Sequence, residues 1–286
     1  MFEKSSINFI NGDKKKNSIL GKLIYSFFFI CEIILETKCN KDYSFKINQS
    51  DLYKFWGGES FKSKKSPIRT SCDAYLINFL RENFPQKKIT IFDLGCGEGN
   101  YSTMIKNLGY DVNYLGIDCV VSNNWQKLEK KNINFIENTF GVNDTSKFTL
   151  IKSKIKDVDL ILSQSCLEHI KYDITALKEI ILLFPKAQHL HFVPSSNSFF
   201  NYFLHGYRRY TFHKLKNLGK KLNKRVDIRP LGNHYSLKKF FSWYYLLNKK
   251  KHNYDYFNYF KKKSLDTDDY DKIVFSKKIN IQFSIV

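Results

Sequence analysis

Three alternating glycines mark the segment of this sequence that is best suited to approach a ligand closely. It reads IFDLGCGEG from Ile91 to Gly99. Glycine allows the backbone to turn tightly and to approach a ligand where a Cβ would collide. The spacing is GxGxG, and the position three after Gly97 is Asn100, so the segment departs from the GxGxxG pattern of dinucleotide sites. Asp93, two residues before the first glycine, suits a cationic amino-acid group better than a pyrophosphate.

A second acidic residue ends the next apolar run, LGID from Leu115 to Asp118. A carboxylate at the end of a strand can accept both hydroxyls of a ribose, with charge-assisted hydrogen bonds of roughly 1.5–3 kcal/mol each. A glycine loop alone is weak evidence, but the loop and the carboxylate in this order indicate a nucleoside-containing cofactor. The alternatives are that Asp93 caps the following helix and that Asp118 is a surface turn residue.

The elements that would position these residues begin at Ile89. Short apolar runs alternate with helical stretches, which predicts a parallel sheet covered on both faces. Right-handed crossovers make this a doubly wound α/β sheet that binds ligands at the carboxyl ends of its strands. The predicted strands are 89–94, 112–117, 133–136, 158–163 and 189–193, with helices at 100–108 and 174–184 among the connections.

We divide the chain into a helical N-terminal extension, residues 1–88, and a main domain, residues 89–286. The extension is predicted to end in a helix at 71–83, which Pro85 terminates. The tail of the main domain is predicted to contain a helix at 212–222, a strand at 225–229, a basic and aromatic helix at 237–251, a surface loop at 253–271 and a last strand at 272–276.

Two segments of the extension have functional interpretations. The glycine pair that follows Trp56, ahead of Arg69, could hinge a lid over the cofactor, although a simple turn is the favoured alternative. The apolar run from Ile19 to Leu35 is interrupted by Lys22 and Glu32 and is slightly short for a membrane span. We therefore expect an amphipathic or buried helix there, with peripheral contact to a membrane surface as the functional alternative.

The bulk composition sets wider limits. Hydrophobic residues make up 43% of the 286 residues, which is enough for a substantial core. The net charge of +20 comes mostly from lysine, a bias typical of an A+T-rich genome; the alternatives are attraction to nucleic acid, to an anionic membrane or to an acidic substrate. None of the six cysteines forms a CxxC pair, so no metal site is predicted and free thiols in a reducing cytoplasm are expected.

Taken together, these motifs resemble the class I S-adenosylmethionine-dependent methyltransferase family. The resemblance covers residues 89 to 230, and it implies a Rossmann-like, mostly parallel sheet of seven strands. The matching parts are DLGCGEG at 93–99, GID at 116–118, DLILSQSCLEHI at 159–170, VPSSNSFF followed by HGYRRYT within 193–211, and IVFSKK at 273–278, which fits the family's last strand.

The resemblance implies S-adenosylmethionine as the cofactor and a set of residues that hold it. The glycine loop would hold the methionine part, Asp118 the ribose, and Asn138, after the third strand, the adenine. The implied cofactor-binding residues are Asp93, Gly95, Cys96, Gly97, Gly99, Asp118, Cys119, Asn138 and Ser165.

Methyl transfer to an activated sulfonium carbon requires alignment of the nucleophile more than a particular catalytic dyad. A general base helps when the acceptor must lose a proton. The candidates are His169, after the fourth strand, and His205 and Arg208, after the fifth. His169 or His205 would act as the base and Arg208 would bind an anion; the alternatives are a structural role for the Glu168–His169 pair and solvated surface charge for the others.

Sequence motifs also limit the acceptor. After the fourth strand stands Ser163-Gln164-Ser165-Cys166, so the [DNS]PP[FYW] motif of exocyclic-amine methyltransferases is absent, as is a Pro-Cys nucleophile. We expect a small-molecule acceptor, methylated on an oxygen of a sugar, lipid or quinone-type metabolite, and not nucleic acid. RNA or DNA methylation, and a non-catalytic cofactor-binding protein of the same fold, are the alternatives.

Overall fold

Parallel strands form the centre of the computed structural model, which describes residue 27 and residues 49–58, 67–142, 145–195, 206–231 and 278–284. The strands are β1 (Lys88–Leu94), β2 (Asp111–Asp118), β3 (Ile133–Glu137), β4 (Leu160–Gln164), β5 (Gln188–Pro194), β6 (Arg225–Leu231) and β7 (Lys278–Ser284). The helices are α1 (Gln49–Phe55), α2 (Pro67–Asn83), α3 (Asn100–Asn107), α4 (Trp125–Leu128), α5 (Lys147–Lys154), α6 (Asp173–Leu183) and α7 (Phe212–Leu222), with a 3-10 turn at Leu167–His169.

The strand order is β3-β2-β1-β4-β5-β7-β6. Strands β1 to β5 pair in parallel, and β7 runs antiparallel to both β5 and β6. The predicted α/β fold with a parallel sheet is confirmed. Because β1 lies between β2 and β4, the chain leaves β1 in one direction and returns to its other side, which opens a crevice at the carboxyl ends of these strands. Asp93 and Asp118 lie at those ends.

Apolar side chains cover both faces of the sheet. On one face, Leu76 and Leu80 of α2 and Ile105 of α3 are fully buried in a core that they share with β1 and β2. On the other face, Ile180 of α6 and Leu215 of α7 are fully buried against the same sheet. Burial of each such side chain contributes about 1.5–3 kcal/mol, so helices on both sides hold the strands at fixed positions.

Helix α2 is longer than the sequence predicted. It begins at Pro67, a residue that favours the first helical position, and ends at Asn83 as expected. Trp56, which follows α1, is bonded to α2, because its Nε1 donates to Asp73 Oδ2 at 2.9 Å. Gly57 and Gly58, with φ of +74° and +109°, then turn the chain at the end of α1. The residues that would test a lid, 59–66, lie outside the described part of the chain.

Two buried histidines of β5 form a hydrogen-bonded row with β4. Ser163 Oγ lies 2.7 Å from His191 Nδ1, and His191 Nε2 lies 3.1 Å from His189 Nδ1. Burial lowers the pKa of His189 to about 3 and that of His191 well below its usual value. Both imidazoles are therefore neutral, and they serve as polar cross-links between two strands.

Several predictions of the sequence analysis fall on residues that the structure does not describe. These are the run at 19–35 apart from Phe27, the helix at 237–251, the loop at 253–271 and the strand at 272–276; the last strand observed is β7, at Lys278–Ser284. Within the described residues, no helix has both the length and the apolar character needed to cross a membrane.

Candidate active site

The glycine loop between β1 and α3 needs its glycines for two different reasons. Gly95, Gly97 and Gly99 all have positive φ, of 71°, 54° and 75°. A Cβ on Gly95 would lie 2.4 Å from Cys166 Sγ, and one on Gly99 would lie 2.4 Å from Phe135. A Cβ on Gly97 would meet nothing within 4 Å, so this residue exposes its backbone to open space. Two glycines thus allow packing and the third allows a ligand to approach.

Asp118, at the end of β2, is held by the backbone around it. Its Oδ2 accepts a hydrogen bond from the Gly97 N–H at 2.8 Å, and its Oδ1 accepts one from the Val120 N–H at 3.1 Å. A carboxylate has about four lone-pair positions, so both oxygens retain capacity for the hydroxyls of a ligand. The carboxylate is thereby fixed beside the backbone position that Gly97 exposes.

Helix α4 supports the outer rim of the same loop. Trp125 Nε1 donates to the Gly97 carbonyl at 2.7 Å, and Asn124 Nδ2 donates to the Glu98 carbonyl at 3.0 Å. The indole stacks on Phe135 with ring centroids 5.2 Å apart and planes only 10° from parallel. The loop is therefore held from outside by side chains about 28 positions later in the sequence.

Two cavities share Gly95 in their linings. The Asp118 cavity, of about 210 Å³, is lined by Leu94, Gly95, Ile117, Asp118, Cys119, Asn138, Thr139, Phe140, Ser165, Cys166, His169 and Ile170. The Asp93 cavity, of about 290 Å³, is lined by Arg69, Asp93, Gly95, Cys96, Gly97, Glu98, Asn100, Tyr101, Met104 and Gln164. The Asp118 cavity has mainly apolar walls, whereas the Asp93 cavity contains charged side chains of both signs, the cation Arg69 and the carboxylates Asp93 and Glu98.

Asp93 is a buried carboxylate, with 1% of its surface exposed. Tyr114 donates its hydroxyl to Asp93 Oδ2 at 2.5 Å. Burial raises the pKa of Asp93 to about 7, while that hydrogen bond and the positive charge of Arg69 oppose the rise. The carboxyl therefore changes its charge near neutral pH and could bind a cation when ionised.

Comparison with known proteins relates the part of the chain that builds this site to a family model. Residues 92–183, from β1 to α6, match the family model described as a methyltransferase domain. The chain carries an S-adenosylmethionine-dependent methyltransferase domain. No curated protein shows significant sequence similarity to the chain.

Solved structures share the fold of this methyltransferase at low sequence identity. The plantazolicin methyltransferase BamL, in complex with a triazolic desmethylPZN analog and SAH, is 15% identical, with 82% of this chain and 96% of that chain covered and a TM-score of 0.51. A SAM-dependent methyltransferase from Archaeoglobus fulgidus is 15% identical (82% and 99% covered, TM-score 0.46). The 1,6-didemethyltoxoflavin-N1-methyltransferase of Burkholderia thailandensis is 12% identical (87% and 92% covered, TM-score 0.47).

The residues of the two cavities fit S-adenosylmethionine. Asp118 retains acceptor capacity for the ribose, Gly97 leaves room for the ligand along the backbone, and Asp93 can face an ammonium group. The bound cofactor supplies a methyl group already activated on a sulfonium. The methyltransferase itself has to orient that group and the acceptor and to exclude water.

The structure places most of the predicted cofactor-binding residues on the two cavities. Asp93, Cys96 and Gly97 line the Asp93 cavity; Asp118, Cys119, Asn138 and Ser165 line the Asp118 cavity; Gly95 lines both. Gly99 instead packs behind the loop against Phe135. Four further lining residues were not predicted, because they share no motif with the loop: Arg69, Tyr101, Phe140 and Gln164.

The three predicted catalytic residues have different surroundings. His169, in the 3-10 turn after β4, lines the Asp118 cavity with its side chain 19% exposed, and its Nε2 lies 3.9 Å from Glu168 Oε1. Arg208 forms an ion pair with Asp173 at 2.7 Å and donates to the Ile170 carbonyl at 3.0 Å. His205 lies outside the described residues.

Arg208 belongs to a short segment after β5 that is bonded to the turn after β4. Tyr207 N–H donates to the Glu168 carbonyl at 2.7 Å, and Tyr210 OH donates to Asp173 Oδ2 at 2.8 Å. The Arg208 guanidinium also bonds the Lys171 carbonyl. These contacts hold residues 168–173 in place, the segment through which His169 lines the Asp118 cavity.

Proposed function

We propose that this methyltransferase transfers the methyl group to an oxygen of a small-molecule acceptor, a sugar, lipid or quinone-type metabolite. The supporting observation is the position of His169 on the wall of the Asp118 cavity, after β4. An imidazole titrates near neutral pH and can remove a proton from an acceptor hydroxyl as that oxygen attacks the methyl carbon. His169 is the proposed base.

The residues around His169 support this role by fixing it in place. The 3-10 turn that carries it is bonded to Tyr207, and its neighbour Ile170 is bonded to Arg208. Ser165, two residues before the same turn, has a positive φ of 55° and donates its N–H to the Phe192 carbonyl at 2.9 Å. A left-handed non-glycine residue is costly and is found often at functional sites, so the geometry of this wall is specifically maintained.

The test is a search for methylated product followed by a substitution. Mass spectrometry of metabolite pools incubated with the enzyme and cofactor should reveal a compound that gains one methyl group. With that acceptor, His169→Gln should lower kcat by about 10²- to 10⁴-fold while the Kd for S-adenosylhomocysteine stays unchanged. His213→Gln, at an exposed histidine of α7, is the matched control and should behave as wild type. Wild-type turnover in His169→Gln would exclude His169 as the base.

The net charge of +20 favours a second candidate, methylation of RNA or DNA. Binding that rests on phosphate contacts weakens steeply as salt is raised, with a slope set by the number of contacts. Titration of the protein with RNA and duplex DNA across a salt series separates the candidates. Tight, steeply salt-dependent binding would support a nucleic-acid acceptor; weak or salt-independent binding would exclude this acceptor.

Cofactor binding without turnover of any metabolite pool or nucleic acid would instead support a non-catalytic protein of the same fold.

A further inference from the structure

The Asp93 cavity is lined by polar side chains from outside the glycine loop. Arg69 enters its wall from α2, and its Cζ lies 5.5 Å from the ring centroid of Tyr101, a residue of α3. Asp93 and Gln164 line the same cavity from the ends of β1 and β4. A guanidinium, a carboxylate and an amide from three different elements thus converge on one space of about 290 Å³.

The amide of Gln164 indicates that this space is built for a polar ligand. Gln164 is 7% exposed, and one end of its amide lies against the hydroxyl of Tyr101. Its other end, Nε2, is buried with no hydrogen-bond partner among the residues that the structure describes. Buried polar atoms are nearly always bonded, so a ligand in the cavity is the natural partner of this amide.

The Gln164 amide suits a polar ligand in either of its two orientations, because the Tyr101 hydroxyl has a choice of acceptor. The single hydroxyl proton of Tyr101 has two acceptors within reach, Asp73 Oδ1 at 2.8 Å and the Gln164 amide. If Gln164 accepts it, the amide nitrogen faces the cavity and suits a carboxylate. If Asp73 accepts it, the amide turns about its last bond, and the oxygen faces the cavity and suits an ammonium. An α-amino acid carries both groups.

The charges on the cavity wall match the same chemistry. Arg69 provides a planar fork of N–H donors, the geometry that binds a carboxylate with two parallel hydrogen bonds. Asp93 provides the opposite charge for an ammonium. Gly95 lines both this cavity and the Asp118 cavity, so the two spaces adjoin at the glycine loop, and a molecule with a nucleoside at one end and an amino acid at the other has the right chemistry for both.

We propose that Arg69 binds the α-carboxylate of the cofactor's amino-acid end, with Gln164 completing the site. The inference rests on cofactor binding by the cleft, on which the proposed function also rests. It assigns a binding residue to α2, a helix that precedes the segment matched by the family model. The N-terminal helices would then take part in cofactor recognition as well as in the core.

Two ligands that differ only in the amino-acid end provide the test. S-adenosylhomocysteine has this end, whereas 5′-methylthioadenosine has the same adenosine thioether without it. By calorimetry, Arg69→Met should weaken binding of S-adenosylhomocysteine by about ten- to a hundredfold, the effect of one charge-assisted contact. Its Kd for 5′-methylthioadenosine should stay within about twofold of wild type. Arg225→Met, at an exposed arginine of β6, is the matched control and should change neither Kd.

The other outcomes are equally informative. An equal loss for both ligands, or no loss for either, would overturn the assignment of Arg69. Should Arg69→Met fail to fold by thermal melting, Arg69→Lys retains the charge but loses the fork, and it should show a smaller loss for S-adenosylhomocysteine alone. If the wild-type protein does not bind S-adenosylhomocysteine, the proposed function fails together with the inference; if it binds both ligands and Arg69→Met leaves both Kd values unchanged, only the inference fails.

Discussion

The two cavities that Gly95 lines differ in the chemistry of their walls. The Asp118 cavity has apolar walls such as Ile117 and Phe140, with one carboxylate fixed by backbone N–H groups. The Asp93 cavity brings together charges of opposite sign, one of them from a helix outside the sheet. Under the proposed assignment, a flat, uncharged portion of the cofactor would be bound by shape, and its zwitterionic portion by charges contributed from distant parts of the chain.

Gly95→Ala should have the largest effect, because it disturbs both cavities at once. The new Cβ would lie 2.4 Å from Cys166 Sγ, in a residue with φ of +71°, so the loop has to shift. A shift of about 1 Å in a binding site can cost about a hundredfold, and we expect at least that loss for both S-adenosylhomocysteine and 5′-methylthioadenosine in calorimetry. Overpacking should also lower the free energy of unfolding by about 1–3 kcal/mol.

Gly109→Ala separates the clash from the backbone strain. Gly109 has φ of +89°, but a Cβ there would meet nothing within 4 Å. We expect a loss of stability of about 1–2 kcal/mol from the left-handed conformation and unchanged affinity for both ligands. If the two alanine variants lost affinity equally, contact with Cys166 would not be the cause.

Asp118→Asn should disturb the Asp118 cavity alone. The substitution removes the charge that strengthens hydrogen bonds from ribose hydroxyls, so both ligands should bind about ten- to a hundredfold more weakly. Asp111→Asn, at the exposed first residue of β2, should leave both affinities unchanged. Loss of affinity for S-adenosylhomocysteine alone would place Asp118 at the amino-acid end and contradict the comparison of the two cavities.

A pH titration should produce a smaller effect that is confined to the Asp93 cavity. The pKa of Asp93 is raised to about 7 by burial, so the carboxyl is mostly neutral below that pH and mostly ionised above it. Only the ionised form attracts an ammonium. Affinity for S-adenosylhomocysteine should therefore rise several-fold between about pH 6 and 8, whereas the affinity for 5′-methylthioadenosine should remain flat.

Asp93→Asn should abolish the pH dependence of S-adenosylhomocysteine affinity. A similar pH dependence for both ligands would contradict the assignment of Asp93 to the amino-acid end.

The raised pKa of Asp93 also makes the stability of the ligand-free protein depend on pH. The contribution of the Asp93 carboxyl to the free energy of unfolding is fully present below the unfolded-state pKa of 3.8 and is lost as the pH rises towards about 7. Thermal melting without ligand should record this trend with the opposite sign to the affinity.

Local sequence patterns predicted the elements that the chain builds from contiguous residues. Strand β2 was expected at 112–117 and lies at Asp111–Asp118, and α7 has the predicted bounds, Phe212–Leu222. The short helices α1, α4 and α5 were not predicted. Helix α4 spans only Trp125–Leu128 and depends on a stacked indole and a bond to the Gly97 carbonyl; a tertiary contact of this kind leaves no periodic pattern in the sequence.

The candidate site likewise has residues that a local sequence pattern predicts and residues that only tertiary packing brings in. The glycine loop and Asp118 could be predicted because a backbone approach needs glycine and because a strand end presents its carboxylate to the crevice. Arg69 and Gln164 lie 95 positions apart, and only the packing of α2 against β1 and α3 brings them to one cavity. Neither residue type is unusual in its local sequence, so a single sequence contains no signal that joins them.

The hydrogen bonds from Trp56 to Asp73 and from Tyr101 to the same carboxylate have a practical consequence. Asp73 is fully buried, and in a fragment that began at β1 the hydroxyl of Tyr101 would lose that partner while one face of the sheet would be open to water. A shortened version intended for crystallisation or assay should therefore begin before Gln49. The segment that resembles a methyltransferase domain is smaller than the unit that has to be expressed to study it.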